Sequence, residues 1–284
     1  ILEHLQLDQI RKLSQVRLKF FTDISHEFRT PLTLIISPLQ SILREPLNDK
    51  IKAQLELMLK NSKRLINMIN QIMDLSKIES GALQLSVQEH DLVEFVKGVG
   101  LSFSGYADRS YVDLKMDVPE KPIDAYFDRL KMEQVIINLL SNAIKFTPRF
   151  GKVTLSVQVK KDNFHITIKD SGKGIPEKDQ QFIFERFYQV QDGDQRRGTG
   201  IGLALAKEIV ELHHGQIFVT SKDDKGSKFE VVLLAGSGHF EKKSLQATKH
   251  PAVPLSASFD EALLKDSAKS EVPTDFSNSD KPLI

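Results

Sequence analysis

"SKIESGALQL", residues 76–85, divides this chain into two kinds of structure. On its N-terminal side, apolar residues recur at spacings of three and four, as on one face of an α-helix. On its C-terminal side, short runs alternate apolar and polar residues, as half-buried strands do. Gly81 predicts the end of the last helix, because glycine readily adopts the left-handed conformation of a helix C-terminus. The sequence therefore predicts a helical domain over residues 1–80 and a mixed domain over 81–235.

The helical domain is predicted to be a hairpin. "REPLND" (44–49) interrupts the periodic pattern with a proline and an Asn-Asp pair, which favours a turn. The apolar stripe that follows, from Ile51 through Met58 to Ile72, is wider than one partner helix can cover. We therefore expect two copies of the hairpin to form a homodimer with a four-helix bundle.

The mixed domain is predicted to combine a sheet with helices on one of its faces. Five stretches alternate as strands do: "VDLKMDV" (112–118), "KVTLSVQV" (152–159), "FHITIKD" (164–170), "QIFVTS" (216–221) and "KFEVVLL" (228–234). Three amphipathic stretches, starting at residues 92, 129 and 202, predict the helices. The fold class is α+β, an α/β sandwich behind a helical hairpin. Residues 236–284, rich in Ser, Lys, Asp and Pro, are predicted to be a flexible linker.

The composition argues against several classes of protein. The 39 basic and 38 acidic residues give a net charge of +1, so nothing favours nucleic acid or an anionic membrane as a direct partner. The chain has no cysteine, which excludes disulfides and thiolate metal sites. No apolar run approaches the length of a membrane span. Because the chain starts with Ile1 rather than Met, we expect it to be a piece of a longer protein.

"NLLSNAIKF" (138–146) carries a polar stripe on an otherwise apolar helix. Asn138 and Asn142 lie four residues apart, and Lys145 follows about one turn later. Two amide oxygens and an ammonium group suit a polyphosphate with Mg²⁺, which prefers oxygen ligands. Taken alone, the spacing favours the interpretation of the two asparagines as capping or surface residues.

Two glycine-containing stretches flank a polar segment. "KDSGKGIP" (169–176) follows a strand and ends it with Asp170, which could accept a hydrogen bond from an adenine amine. "GTGIGLALAKEIV" (198–210) places three glycines before a helix, whose first N–H groups could bind phosphate. The polar segment between them is predicted to be a mobile lid, with Phe184 and Phe187 anchoring its base. Each stretch also has an ordinary interpretation, as a common turn or a solvated surface.

In this order, the four stretches resemble the N, G1, F and G2 boxes of sensor histidine kinases. "SHEFRTPL" (25–32) resembles the H box of the same family. The likeness covers residues 10–235 and implies an ATP-binding domain of the Bergerat type, as in gyrase, Hsp90 and MutL. The sequence around "FFTDISHEFRTPLTLI" (20–35) resembles that of the hybrid sensor kinases of gut Bacteroidetes.

The resemblance assigns the chemistry of the H box to three residues. His26 is implied to be the phosphoacceptor, whose neutral imidazole attacks the γ-phosphate of ATP. Glu27 is implied to accept a proton from the imidazole or to orient it. Thr30 matches the residue that positions water when such kinases dephosphorylate their regulators. Pro31 removes one helical hydrogen bond and is predicted to permit a bend there. The other seven histidines are interpreted as surface residues, with His213 and His214 near a helix C-terminus where a cation is favourable.

The resemblance also implies ATP and Mg²⁺ as cofactors. Asn142 is expected to bind Mg²⁺ directly, with Asn138 supporting it. Lys145 is expected to meet phosphate and Asp170 the adenine amine. The remaining nucleotide-binding residues implied by the boxes are Phe146, Gly172, Gly174, Arg196, Arg197, Gly198, Thr199, Gly200, Gly202 and Leu203.

The expected partners are a second copy of the chain and the receiver domain of a response regulator. "DKPLI" (280–284) resembles the start of a receiver, which would make the parent protein a hybrid kinase. By the same resemblance, the chain is the cytoplasmic portion of an inner-membrane sensor, attached through upstream segments. Two other functions remain open: an ATPase that closes a clamp, and a signalling scaffold that binds ATP without transferring phosphate. Asn138 argues against the ATPase, because the hydrolysing branches of the superfamily carry a glutamate there.

Overall fold

The computed structural model describes the backbone of residues 2–190, 198–242 and 244–245, and side chains from residue 22 onward within those ranges. It confirms the predicted fold class, a helical hairpin followed by an α+β domain. In chain order the described elements are α1 (Leu2–Ile42), α2 (Asp49–Glu79), β1 (Gln88–Asp91), α3 (Leu92–Ser102), α4 (Ser104–Arg109), β2 (Asp113–Asp117), β3 (Asp124–Phe127), α5 (Arg129–Phe146), β4 (Lys152–Lys160), β5 (Asn163–Asp170), α6 (Glu177–Gln180), α7 (Gly202–Leu212), β6 (Gln216–Ser221) and β7 (Ser227–Leu234).

Helices α1 and α2 form the hairpin. On α1, Ser25, Leu32 and Leu39 are buried at intervals of seven residues, the spacing that keeps one face of a helix against a neighbour. Helix α2 begins where Asn48 accepts hydrogen bonds from two backbone N–H groups of its first turn. It ends before Gly81, whose φ of +66° is the left-handed conformation predicted for this position.

The main sheet has five strands in the order β2-β4-β5-β7-β6. Strand β2 is parallel to β4, and the other neighbours are antiparallel. In β4, Val153, Leu155 and Val157 are buried at every second position. These side chains join the core formed with α3, α5 and α7, so the five predicted strands and three predicted helices are confirmed.

Two strands were missed by the sequence analysis. β1 and β3 pair with each other in antiparallel register, from Gln88 opposite Phe127 to Asp91 opposite Asp124. Each has only four residues, too few for an alternating pattern to stand out. The short helices α4 and α6 were not predicted either, for the same reason.

The C-terminal part of α2 docks against the α+β domain. The Asp74 carboxylate accepts hydrogen bonds from Lys131 Nζ at 3.0 Å and from Gln134 Nε2 at 3.3 Å, both on α5. Arg186, in the loop after α6, binds the carboxylates of Glu79 on α2 and Glu208 on α7. Apolar side chains of α2 add to the contact: Met68, Ile72, Leu75 and Ile78 pack in or against the main core. The two domains therefore meet through an apolar strip edged by ion pairs.

The segment after β7 folds back over the start of the α+β domain. Val87 forms a parallel β-bridge with Leu245, and its N–H donates a 2.8 Å hydrogen bond to the carbonyl oxygen of Ser244. Phe240 is buried in a second apolar cluster with Leu85 and Val87. The chain therefore enters and leaves this domain at one place.

In the part of the chain that the structure describes, none of the helices is long and apolar enough to cross a membrane. Residues 246–284, which form most of the predicted linker and include the receiver-like ending, lie outside the described residues.

Candidate functional site

Helix α5 presents the polar stripe of the N box to the glycine-rich segment before α7. Asp128 fixes the start of α5 by accepting a hydrogen bond from the N–H of Lys131. Asn138 Nδ2 donates to the carbonyl oxygen of Gly202 at 3.2 Å. Asn142, four residues further along, is half-buried. Lys145 and Gly198 bring the far end of the helix to the same segment.

The distance between those last two residues is short. Lys145 Nζ lies 3.8 Å from where a Cβ on Gly198 would be, so the ammonium group sits beside the glycine backbone. The same ammonium lies 4.9 Å from the ring centroid of Phe146, which is half-buried at the end of α5. The stripe predicted from sequence therefore faces one continuous glycine-lined surface.

Asp170 lies at the end of β5 with 7% of its surface exposed. Its Oδ1 accepts hydrogen bonds from the N–H groups of Gly172 at 2.8 Å and Ser227 at 3.1 Å. Burial raises the pKa of the Asp170 carboxyl, and the two N–H donors act in the opposite direction. Among the described residues both recorded donors reach Oδ1, which leaves Oδ2 able to accept a hydrogen bond from a ligand amine.

Gly226 supports Asp170, and the sequence analysis missed it. Its φ is +83°, and a Cβ there would lie 2.0 Å from the carbonyl oxygen of Asp170. Only glycine fits such an approach. Gly174 has the same property on the other side, with φ +75° and a Cβ position 2.2 Å from the carbonyl oxygen of Lys222. The turn "DDKGSK" (223–228) between two predicted strands was the available signal for Gly226.

The segment before α7 is shaped by a second close approach. Gly200 has φ +71°, and its carbonyl oxygen accepts a 2.8 Å hydrogen bond from the N–H of Phe187. Thr199 Oγ1 accepts a hydrogen bond from the N–H of Ile201 at 3.3 Å. Gly202 then opens α7, and Leu203 packs against the main core. The backbone before α7 is thus held by the hydrogen bond from Phe187 and by the Thr199 side chain, and the start of α7 is held by the packing of Leu203.

The base of the predicted lid differs from the expectation in one respect. Phe184 packs against the core, with its ring edge-to-face on Phe229 at a centroid distance of 6.5 Å. Phe187 is 65% exposed, so the prediction that its side chain anchors the lid is wrong. Its backbone, not its ring, makes the anchoring contact with Gly200. Arg196 and Arg197 lie outside the described residues.

His26 and Glu27 are exposed on α1, in the hairpin. Thr30 Oγ1 donates to the carbonyl oxygen of His26 at 3.2 Å. Helix α1 continues through Pro31 to Ile42. The structure therefore presents the histidine and its neighbours to solvent on one helix, and the glycine-lined surface belongs to the other domain.

One histidine interpreted as a surface residue is buried. Only 1% of His213 is exposed, and burial lowers the pKa of its imidazole. The interpretation of His213 as a favourable cation at the end of α7 is therefore wrong. Phe240 contacts the ring edge-to-face at a centroid distance of 6.2 Å, and both ring nitrogens face backbone groups of Asp128 and Ile209.

The donor set fits magnesium only in combination with phosphate. Across the described ranges, no group of three or more His, Cys, Asp or Glu side chains could hold a metal ion. Mg²⁺ is commonly bound by one or two side chains together with substrate phosphates and water. The amide oxygens of Asn142 and Asn138, on the helix that contacts the glycine segment, suit that mode.

Two family models match the chain. The model described as "His Kinase A (phospho-acceptor) domain" covers residues 16–81. The model described as "Histidine kinase-, DNA gyrase B-, and HSP90-like ATPase" covers residues 127–236. Together they span the hairpin and most of the α+β domain.

Individual proteins that are similar to this chain are also histidine kinases by name. Histidine kinase P4 of Formosa agariphila is 37% identical over 86% of this chain and 18% of its own length. Hybrid signal transduction histidine kinase D of Dictyostelium discoideum is 34% identical over 80% of this chain and 15% of its own length. The solved structure of the histidine kinase AdeS from Acinetobacter baumannii superposes with a TM-score of 0.55, at 27% identity, over 75% of this chain and 98% of that one. The chain thus spans less than a fifth of the two curated relatives.

Proposed function

Because this chain belongs to the sensor histidine kinases and carries their phosphoacceptor and ATP-binding domains, we propose that it phosphorylates His26 from ATP and passes the phosphoryl group to a receiver aspartate. The observation that carries the proposal is the meeting of the α5 stripe with the glycine segment, through the Asn138–Gly202 hydrogen bond and the Lys145–Gly198 approach. A surface of this kind binds polyphosphate on backbone N–H groups and an ammonium group.

The proposed reaction is an in-line phosphoryl transfer. A neutral ring nitrogen of His26 forms a bond to the γ-phosphorus while the bond from that phosphorus to the β–γ bridging oxygen breaks, releasing ADP. The other ring nitrogen then loses its proton, and Glu27 is the adjacent carboxylate that can accept it. Because both side chains are exposed on α1, the nucleotide can approach the ring directly.

Each nucleotide-binding residue has a proposed task. Asn142, supported by Asn138, would hold Mg²⁺, which neutralises charge on the phosphates when bound. Lys145, with the segment Gly198–Leu203, would bind the phosphates, and Arg196 and Arg197 would join them from the lid. Asp170 would accept a hydrogen bond from the adenine amine through Oδ2, with Gly172 and Gly174 shaping the turn beside it. Phe146 would pack near the nucleotide.

We propose a homodimer built on the hairpin. In the single chain, large apolar side chains of α1 and α2 remain more than 40% exposed: Phe28, Leu34, Ile35, Ile42, Ile51, Leu57, Met58 and Leu65. A second hairpin would remove that surface from water. Sedimentation at micromolar concentration is expected to give a dimer, and a monomer would contradict the proposal.

The proposal extends to the parent protein. Residues 1–80 would be the dimerisation and phosphotransfer domain, and residues 81–235 the catalytic domain. Within the predicted linker 236–284, Phe240 and Leu245 pack on the catalytic domain, so only the residues beyond Leu245 would be a flexible linker to a receiver. A hybrid parent is supported by the similarity to hybrid signal transduction histidine kinase D of Dictyostelium discoideum. The core would lie on the cytoplasmic side of an inner-membrane sensor, where ATP is available, with a membrane anchor upstream. Fractionation of cells that express the parent protein tests that location.

We propose a second activity, dephosphorylation of the partner receiver, in which Thr30 positions the attacking water. The Thr30 hydroxyl, one turn from His26, is exposed. Thr30→Ala is expected to keep autophosphorylation and slow the loss of phosphate from the receiver. Equal dephosphorylation rates for the variant and the parent chain would contradict this role.

Labelling with γ-³²P-ATP separates the three candidate functions. Acid-labile, base-stable label on the protein, absent in His26→Gln, supports the kinase. Steady release of phosphate without label would instead support a clamp ATPase. Nucleotide binding with neither label nor hydrolysis would leave a scaffold. His90→Gln is the matched control, because it removes a histidine of the other domain and should leave labelling unchanged.

A further inference from the structure

Two lysines converge on the ring of Phe146. Lys145 Nζ lies 4.9 Å from the ring centroid, and Lys173 Nζ lies 5.5 Å from the same centroid. Lys145 is the last lysine of α5, whereas Lys173 belongs to the turn after β5. Positive charge from two separate elements is therefore concentrated around one aromatic side chain.

Phe146 and its two lysines lie between the glycine segment and the turn that holds Asp170. On one side, Lys145 Nζ touches the position of a Cβ on Gly198, in the glycine segment. On the other side, Lys173 follows Gly172, whose N–H donates to Asp170. The Lys173 ammonium thus shares the Phe146 ring with the Lys145 ammonium, while its backbone belongs to the turn that holds Asp170.

The backbone of Lys173 is held in place. Its carbonyl oxygen accepts a 2.7 Å hydrogen bond from the N–H of Asp224. The next residue, Gly174, has φ +75° and passes so close to Lys222 that no side chain would fit there. The Lys173 Cα therefore has a fixed position, and its side chain starts from a rigid turn.

We infer that Lys173 is a further nucleotide-binding residue, which acts with Lys145 on the polyphosphate of ATP. Concentrated positive charge beside the glycine segment raises the affinity of this surface for anions. A triphosphate carries several negative charges, whereas adenosine carries none. Lys173 should therefore contribute to affinity in proportion to the number of phosphates. The inference rests on the proposed ATP site and adds a residue to it.

Affinities for ATP with Mg²⁺, for ADP and for adenosine test the inference. They would be measured by titration calorimetry on the full chain and on Lys173→Gln, Lys173→Arg and Lys169→Gln. Lys169 is the matched control, since it is exposed and lies between buried Ile168 and Asp170, so it points to the other face of the sheet. Thermal unfolding of each variant checks that the fold is retained.

Lys173→Gln is expected to weaken ATP binding about three- to tenfold, ADP less and adenosine not at all. Lys173→Arg should stay within about twofold of the parent chain, because it keeps the charge. Lys169→Gln should leave all three affinities unchanged. Unaltered ATP affinity in Lys173→Gln, or an equal loss for adenosine and ATP, would overturn the inference while the kinase proposal survives. If the parent chain bound no ATP, both would fall.

Discussion

The backbone N–H of Asp128 donates a 3.0 Å hydrogen bond to Nε2 of His213, 85 residues further along the chain. The other ring nitrogen, Nδ1, donates to the carbonyl oxygen of Ile209 at 2.8 Å. This arrangement requires a neutral imidazole with its proton on Nδ1. It ties the start of α5, which carries Asn138 and Asn142, to the end of α7.

We predict that the contribution of this hydrogen-bonded histidine to stability decreases at acidic pH. Because burial lowers the pKa of His213, the unfolded chain takes up a proton below its ordinary pKa of 6.5 while the folded chain does not. The neutral His213 ring therefore contributes fully to stability above pH 6.5. This contribution is lost as the pH falls from 6.5 towards the lowered pKa of the folded chain. Asp128, His214 and His239 are the charged or titratable groups that influence this ring.

Urea unfolding of the parent chain and His213→Gln at pH 7.5 and 5.5 checks the prediction. The variant should be less stable at pH 7.5 and should lose less free energy of unfolding on acidification. Some pH dependence will remain, because the pKa values of His90 and His239 are also lowered by burial. The exposed neighbour His214, changed to Gln, serves as the control. Parallel pH profiles for His213→Gln and the parent chain would contradict the prediction.

Asn142→Ala should strongly slow phosphorylation of His26 without unfolding the domain. Loss of one preorganised ligand of a transferring phosphate typically lowers the rate about 10²- to 10³-fold. The measurement is initial incorporation of label from γ-³²P-ATP at saturating Mg²⁺. Gln158→Ala removes an exposed amide from β4 and should keep the parent rate. Full activity of Asn142→Ala would refute the assignment of Asn142 to the metal.

Gly226→Ala should destabilise the domain and weaken nucleotide binding together. The left-handed backbone alone costs an L-residue about 1–2 kcal/mol, and the contact with the Asp170 carbonyl adds to it. Gly238→Ala is the control, since nothing lies within 4 Å of its Cβ position. The thermal unfolding temperature and the affinity for ADP should both be lower in Gly226→Ala, and both should be unchanged in Gly238→Ala. An intact ADP affinity in Gly226→Ala would argue that Asp170 does not depend on this turn.

The Asp74–Lys131 pair should stabilise the docking of α2 measurably. The two side chains are 21% and 22% exposed, so water screens them less than a surface pair. A double-mutant cycle with Asp74→Ala and Lys131→Ala should give a coupling free energy of about 0.5–1.5 kcal/mol. The Lys207–Glu211 pair, 46% and 52% exposed, should give less than about 0.5 kcal/mol. Zero coupling for Asp74 and Lys131 would mean that this docked arrangement does not persist in solution.

Phe150→Gly should stabilise the protein. Phe150 has φ +66° and is 86% exposed, so its strained backbone is offset by little packing. Glycine removes the strain at some cost in unfolded-state entropy, for a net gain of about 0.5–1 kcal/mol. Phe150→Ala keeps the strain and should change the free energy of unfolding little. The Phe150 ring lies 6.0 Å, centroid to centroid, from the ring of Tyr111. A loss of stability in Phe150→Gly would show that this contact outweighs the strain.

The elements predicted correctly from the sequence are those with a repeating apolar pattern. The elements that were missed depend on contacts with residues distant in sequence. Alternation in β4 and β7 and the stripe on α2 extend over many residues, so they identify elements without knowledge of their neighbours. β1 and β3 have four residues each, and each strand pairs only with the other in the described sheets. Their formation is a tertiary event that local patterns do not encode.

His213 shows the same limit at a residue. A pair of histidines after an amphipathic helix, followed by a glycine, is typical of an exposed helix end. His213 is instead buried, hydrogen-bonded to the backbone of Asp128 and in contact with Phe240, which belongs to a stretch that was predicted to be a linker. These contacts come from residues distant in sequence, so no local pattern indicates them.

The β-bridge between Val87 and Leu245 brings the two ends of the α+β domain into hydrogen-bonding register. A fold whose termini touch can be transplanted as a cassette, because its insertion leaves the distance between the flanking segments almost unchanged. Val87 follows the end of α2 at Glu79 by only eight residues, so Leu245 lies beside the segment that connects the hairpin to the α+β domain.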